Sequence, residues 1–248
     1  METLGLAVPA LGYACIAVLL AAFVRGLTGF GSSLLWVSSL TLVLAPAEVV
    51  PMVLLFEVAA SAALLPAVWR QVHWRSLAWV SAGMLAATPF GVTLLLALSA
   101  DGLRLLIGLV VVVASLLLWR GPRASGPGGT AAALATGLAS GLLNGSTAAG
   151  GPPVVLFYFA GGALAAGRAS VIAYFLLSDA LGAGIMASQG LVSEQVLWRW
   201  TAFLPLVGLG IWLGHRRFLR TSPELFRRFV LALLTLLGAA LIVRAVAA

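Results

Sequence analysis

The chain has 248 residues, of which 62% are hydrophobic and 8% charged, with a formal net charge of +7 and a mean hydropathy of +1.13. A water-facing domain carries roughly 25% charged residues to cover its surface, so this composition excludes a soluble globular protein. All fourteen cations are Arg, and they lie between apolar runs rather than along one face, which argues against nucleic acid as a partner.

A helix needs about 20 apolar residues to cross a hydrocarbon core of roughly 30 Å. The first run that qualifies is 5–24. Only Met1, Glu2 and two uncharged residues precede it, so it reads as a retained span rather than a cleaved signal. The lone Cys15 lies inside this run and has no partner for an intrachain disulfide. Residues 25–31, RGLTGFG, then interrupt the apolar stretch and leave 32–45 as a shorter helix. Spans follow at 47–69, 76–98 and 101–119, and a hydrophilic linker, GPRASGPGG, occupies 121–129 near the midpoint. Beyond it, NGSTAAGGPP at 144–153 divides 130–143 from 154–163, and spans at 168–190, 196–214 and 225–246 complete the chain. Trp69, Trp74, Trp198 and Trp200 stand at span ends and read as an interfacial aromatic belt.

The landmarks recur. Gly26 and Gly145 are offset by 119 positions, Trp74-Arg75 and Trp198-Arg199 by 124, and Asp101-x-x-Arg104 and Glu224-x-x-Arg227 by 123. Tandem repeats of this kind build many secondary transporters. The expected fold is therefore an all-α, multi-pass membrane protein of two pseudo-symmetric repeats, 1–124 and 125–248. It should have eight to ten hydrophobic helices, with one broken helix or short helix pair per half.

Arg placement argues for orientation. With an odd number of crossings per half, Arg70, Arg75, Arg120, Arg123, Arg216, Arg217, Arg220, Arg227 and Arg228 share one side. They stand nine against three, opposite Arg104, Arg199 and Arg244. With an even number the same twelve divide six and six. The positive-inside rule favours the asymmetric count, hence inverted halves with the Arg-rich loops cytoplasmic.

The two Gly-rich breaks are the candidate substrate site. Non-helical backbone survives at membrane depth only where it is buried in protein or lines a cavity, and helix N-termini attract anions through their free N–H groups. The first break supplies Arg25, Gly26, Thr28, Gly29, Phe30, Gly31, Ser32 and Ser33. The second supplies Asn144, Gly145, Ser146, Thr147, Gly150, Gly151 and Pro152, with Pro suited to a first helical turn. Tight packing through small residues is the competing account of the glycines, and small hydroxyl residues often bond their own helix backbone.

Ionisable residues inside spans are costly and mark function by default. Arg25 adjoins the first break, as a fixed countercharge for an anion or as an Arg snorkelling to an interface. Glu57 and Asp179 fall in mid-span with an offset of 122, which suggests proton coupling, a partner for Arg25, or a structural carboxyl bonded to a neighbouring helix. His73 and His215 are read as loop residues without neighbouring acids, so neither a metal site nor another cofactor is expected.

The runs GLTGFGSS, QVHW, GSTAAGGPPVV and PELFRR stand in this order along nearly the whole chain. Together they resemble the TauE/SafE family of sulfite-exporter-like transporters. The resemblance implies a multi-span inner-membrane permease that moves sulfite, organosulfonates or related anions. The alternatives from other classes are a membrane-embedded enzyme acting on lipid precursors and a non-transporting assembly subunit. The former needs a positioned His, Cys or paired acids, and Glu57 and Asp179 are the only intramembrane acids on offer. The partners expected are a small anion and the lipid bilayer; a homo-oligomer is compatible with the sequence but not specified by it.

Overall fold

The computed structural model describes residues 5–121, 129–160, 164–217 and 223–247. Among them the chain forms ten α-helices and no strand. In order these are α1 (Val8–Thr28), α2 (Ser32–Leu40), α3 (Pro46–Val68), α4 (Trp74–Ala97), α5 (Ala100–Arg120), α6 (Thr130–Thr147), α7 (Gly151–Phe159), α8 (Leu164–Ser188), α9 (Glu194–Arg217) and α10 (Pro223–Ala247). Seven of them are long and apolar enough to cross a membrane, and α2 and α7 are the short ones. The loop Arg residues Arg123 and Arg220, and the side chains of Arg217, Glu224 and Arg227, fall outside what is described.

Both breaks are turns of the same construction. Helix α1 ends at Thr28 and its capping residue Gly29 is left-handed at φ 81°; α6 ends at Thr147 and its cap Ala148 is left-handed at φ 53°. The short helix starts three residues after each cap, at Ser32 and at Gly151. Each then doubles back along the helix before it. Trp36 of α2 donates its indole N–H to the Val18 carbonyl of α1 at 3.1 Å. Tyr158, near the end of α7, reaches Ser76 in the first turn of α4, which is the end from which α6 also sets out. The sequence left open whether the breaks divide straight spans or form short pairs; they form hairpins.

Helix–helix contacts are made by glycine. In lipid no hydrophobic force draws two helices together, so close backbone approach through small residues supplies the attraction. Gly83, Gly137, Gly141 and Gly145 set α4 against α6, with Gly137 on the Val80 carbonyl and Gly145 on the Thr88 carbonyl; residue numbers rise together, so the two helices run parallel. Gly26, Gly210 and Gly214 do the same for α1 and α9, where Gly210 faces Leu19 and Phe23, and Gly26 faces Ile211 and His215. The first helix of each half therefore rides on the fourth helix of the other half. The third helices, α3 and α8, pack on each other, as do the fifth, α5 and α10.

Polar ties fix the ends. Glu48 at the start of α3 pairs with Arg199 of α9 at 2.7 Å, and Asp101 pairs with Arg104 one turn along α5 at 2.6 Å. Trp69, Trp74 and Trp198 are exposed at helix ends, as an interfacial belt requires, whereas Trp200 packs against the core.

Two glycines of α9 provide a test of the packing argument. A Cβ on Gly210 would stand 2.6 Å from the Ala22 Cβ, whereas one on Gly208 would meet nothing within 4 Å. Gly210→Ala should destabilise the detergent-solubilised protein by about 1–3 kcal/mol through overpacking. Gly208→Ala should be neutral or stabilising by up to ~1 kcal/mol, with both read as thermal melting. The caps provide a second test, since a non-glycine residue in the left-handed region costs about 1–2 kcal/mol. Ala148→Gly should leave melting unchanged or raise it. Gly29→Ala should lower it, because the new Cβ would also stand 2.6 Å from Arg168 Nε.

Candidate anion site at the helical hinges

Arg25 lies on the last turns of α1 and its side chain is completely buried, which excludes snorkelling to an interface. Its guanidinium stands 3.0 Å, Nη1 to Oε2, from Glu57 of α3, and its Nη2 donates to Ser61 Oγ at 2.7 Å. The contact with Glu57 is close but poorly aligned as a hydrogen bond, and Arg25 Nε has no acceptor among the described residues. Ser32, the first residue of α2, donates its hydroxyl to the other Glu57 oxygen. One carboxylate thus ties the end of α1, the start of α2 and the middle of α3.

The second half builds a counterpart. Asn144 of α6 donates Nδ2 to Asp179 Oδ1 of α8 at 2.7 Å, and Ser178 Oγ lies 3.3 Å from the same oxygen. Asp179 is buried, and it acts electrostatically on both Glu57 and Arg25. Phe175 of α8 lies between the two hinges. The Arg25 guanidinium carbon stands 5.2 Å from its ring centre, and a Cβ on Gly151 would be 3.2 Å from the ring edge. Phe30 meets Phe159 at the far end of α7, with ring centres 5.5 Å apart. Arg168, near the start of α8, passes over Gly29 and interacts with Arg25.

The sequence-selected residues separate by position. Arg25, Ser32, Glu57, Asn144 and Asp179 form the polar cluster. Gly26 and Gly145 face the backbones of α9 and α4. Thr28, Ser146 and Thr147 donate to carbonyls one turn back in their own helices, and Thr28 also holds the Phe30 carbonyl at 2.5 Å. Ser33 is buried on α2. Gly150 stands against α6, its carbonyl accepting the Ser140 hydroxyl at 2.5 Å while Tyr174 donates to Ser140 at 2.7 Å.

The two helix starts differ as donors. Helix α2 begins with Ser32, Ser33 and Leu34, all bearing N–H groups, and no side chain caps them. A Cβ on Gly31 would meet nothing within 4 Å, so there is open space beside this turn. Helix α7 begins Gly151-Pro152-Pro153, and proline has no N–H to offer.

Sequence reasoning missed Ser61, Phe175, Ser178 and Arg168. Ser61 lies four residues after Glu57 and Phe175 four before Asp179, a spacing that places both on the face of the acid, so this signal was present. Arg168 has no repeat counterpart and its depth could not be read. A surface cavity of about 540 Å³ at Gly5, Ser193, Glu194, Gln195 and Trp198 includes no hinge residue.

The family model for the sulfite exporter TauE/SafE matches residues 14–241. The chain is also similar to a probable sulfite/organosulfonate exporter TauE of Cupriavidus necator, 30% identical over 234 residues that cover 91% of each chain. No solved structure matches. The match spans both hinges and all the helices between them, and the family is one of membrane transporters rather than enzymes. This multi-pass helical membrane protein belongs to the TauE/SafE family.

Proposed function

We propose that the chain is an inner-membrane exporter of a small sulfur oxyanion or an organosulfonate or carboxylate, and that the anion binds at Arg25 beside the start of α2. The observation that carries this reading is the completely buried guanidinium of Arg25, held at a hinge where the α2 N–H groups are uncapped and open space adjoins Gly31. An anion there replaces hydration with a fixed cation and fixed N–H donors, which need no reorganisation. The α7 start adds less because of its two prolines, so the site is weighted to the first hinge. The exporter named for the Cupriavidus relative supports the substrate class.

The halves 1–124 and 125–248 are read as inverted repeats. Helices α1 and α3 run together, since Gly5 and Glu48 both meet Arg199 while Arg25 reaches Glu57 and Ser61. Helix α4 returns from α3 through a tight turn, and α6 is parallel to α4. The first helix of the second half thus opposes the first helix of the first, which supports an axis in the membrane plane. This topology also gives the Arg-rich loops one side, as the positive-inside rule prefers.

In proteoliposomes, Arg25→Gln should lower sulfite or sulfonate flux by about 10- to 150-fold, the value of a hydrogen bond to a charged group. The neutral pair Arg25→Gln with Glu57→Gln avoids an unpaired buried carboxylate and should remain folded yet inactive. Flux retained in that folded double variant would refute the assignment. For topology, single cysteines at Arg75 and Gln189 in a Cys15→Ala background should label from opposite membrane faces; labelling from the same face would refute the inversion.

A further inference from the structure

The two hinges hold the same contact with different charge. Arg25 and Asn144 are 119 positions apart, the offset that also relates the helix ends Thr28 and Thr147 and the helix starts Ser32 and Gly151. Each reaches the mid-span acid of its own half, Arg25 to Glu57 at 3.0 Å and Asn144 to Asp179 at 2.7 Å. In the first half that partner is a cation. In the second it is a neutral amide, so the equivalent contact supplies Asp179 with no countercharge.

The surroundings of Asp179 sharpen the difference. It is buried, and its Oδ2 accepts no hydrogen bond from any described residue. The charged groups that act on it are Glu57 of α3 and Arg25 of α1; Tyr174 on its own helix also feels it, α6 contributes only Asn144, and no charged group of α4 or α7 is among those acting on it. Arg25 is already engaged by Glu57 and Ser61. Asn144 and Ser178 each carry an acceptor oxygen as well as a donor, so the cluster can accommodate Asp179 with a proton or without one. Glu57 differs, since both of its oxygens are engaged, one beside Arg25 and the other by the Ser32 hydroxyl.

We infer that Asp179 takes up a proton when the anion occupies Arg25, so that the chain carries an anion and a proton across the membrane together. The inference rests on the anion site proposed above. With Glu57 and Asp179 both ionised beside one shared Arg25, an arriving anion meets two carboxylates in a medium of low dielectric, where repulsion is strong. A proton on Asp179 removes one of them. Coupling of this kind is reciprocal, so a bound anion raises the affinity for the proton by the factor by which the proton raises the affinity for the anion. The proton comes from the aqueous phase that supplies the anion and leaves with it on the other side. A monoanion then crosses with no net charge.

The test uses the purified full chain in proteoliposomes enclosing a pH-sensitive dye, with methanesulfonate, isethionate and sulfite as probes; methanesulfonate does not titrate near neutrality. The expected result is movement of one proton with each methanesulfonate, in the same direction, and a rate that a potassium–valinomycin potential does not alter. Asp179→Asn should move the anion without a proton and become sensitive to that potential, while Asp179→Glu should restore coupling. Anion movement without proton movement in the wild type, proton movement in the opposite direction, or intact coupling in Asp179→Asn would each overturn the inference while leaving the anion site standing. Absence of flux for all three probes from folded wild-type protein would overturn the sulfur-anion function proposed above and this inference with it.

Discussion

An arginine inside a membrane protein must be matched by charge, and that constraint shapes the centre of this molecule. Removing an ion from water costs several kcal/mol even after relaxation, so completely buried Arg25 requires Glu57 beside it. The pair lies at the junction of three helices. Because Glu57 also accepts from Ser32, one carboxylate fixes the first residue of α2 beside Arg25. A buried pair of this kind is weak evidence for stability and better evidence that one arrangement of helices is selected over others.

Packing around the hinges follows from the absence of a hydrophobic force between helices in lipid. Glycines let α1 lie on α9 and α6 on α4 with backbones in contact. The glycine next to each hinge, Gly26 or Gly145, is part of that crossing. Each hinge is therefore seated on a helix from the other part of the chain, Gly26 on α9 and Gly145 on α4.

Geometric symmetry and chemical symmetry part company here. The hinges share spacing, left-handed caps and doubled-back short helices. Their chemistry does not match: Arg25 against Asn144, three N–H groups at the start of α2 against two prolines at the start of α7, open space at Gly31 against close packing at Gly150. Two hinges of like shape thus differ in what they can do, and the second is built more for packing than for donating hydrogen bonds.

Composition and periodicity alone determined that this is a helical membrane protein, because a lack of charge and a run of apolar residues have one physical interpretation. They also located the seven long spans, the two breaks and the mid-span acids, since apolar runs of spanning length stand out against the Gly-rich segments and rare charges that interrupt them. The GLTGFGSS and GSTAAGGPPVV runs carried the family. Other features depend on contacts between residues far apart in the chain. The direction taken after each break was not legible, because left-handed caps at Gly29 and Ala148 turn the chain back onto helices that come later in it, α2 against α3 and α10 and α7 against α8. Nor could the sequence distinguish a snorkelling Arg25 from a buried one, or separate Gly26 and Gly145 from the glycines beside the polar cluster. Those roles are decided by which surface each residue faces once the bundle has closed, and facing is a property of the tertiary structure.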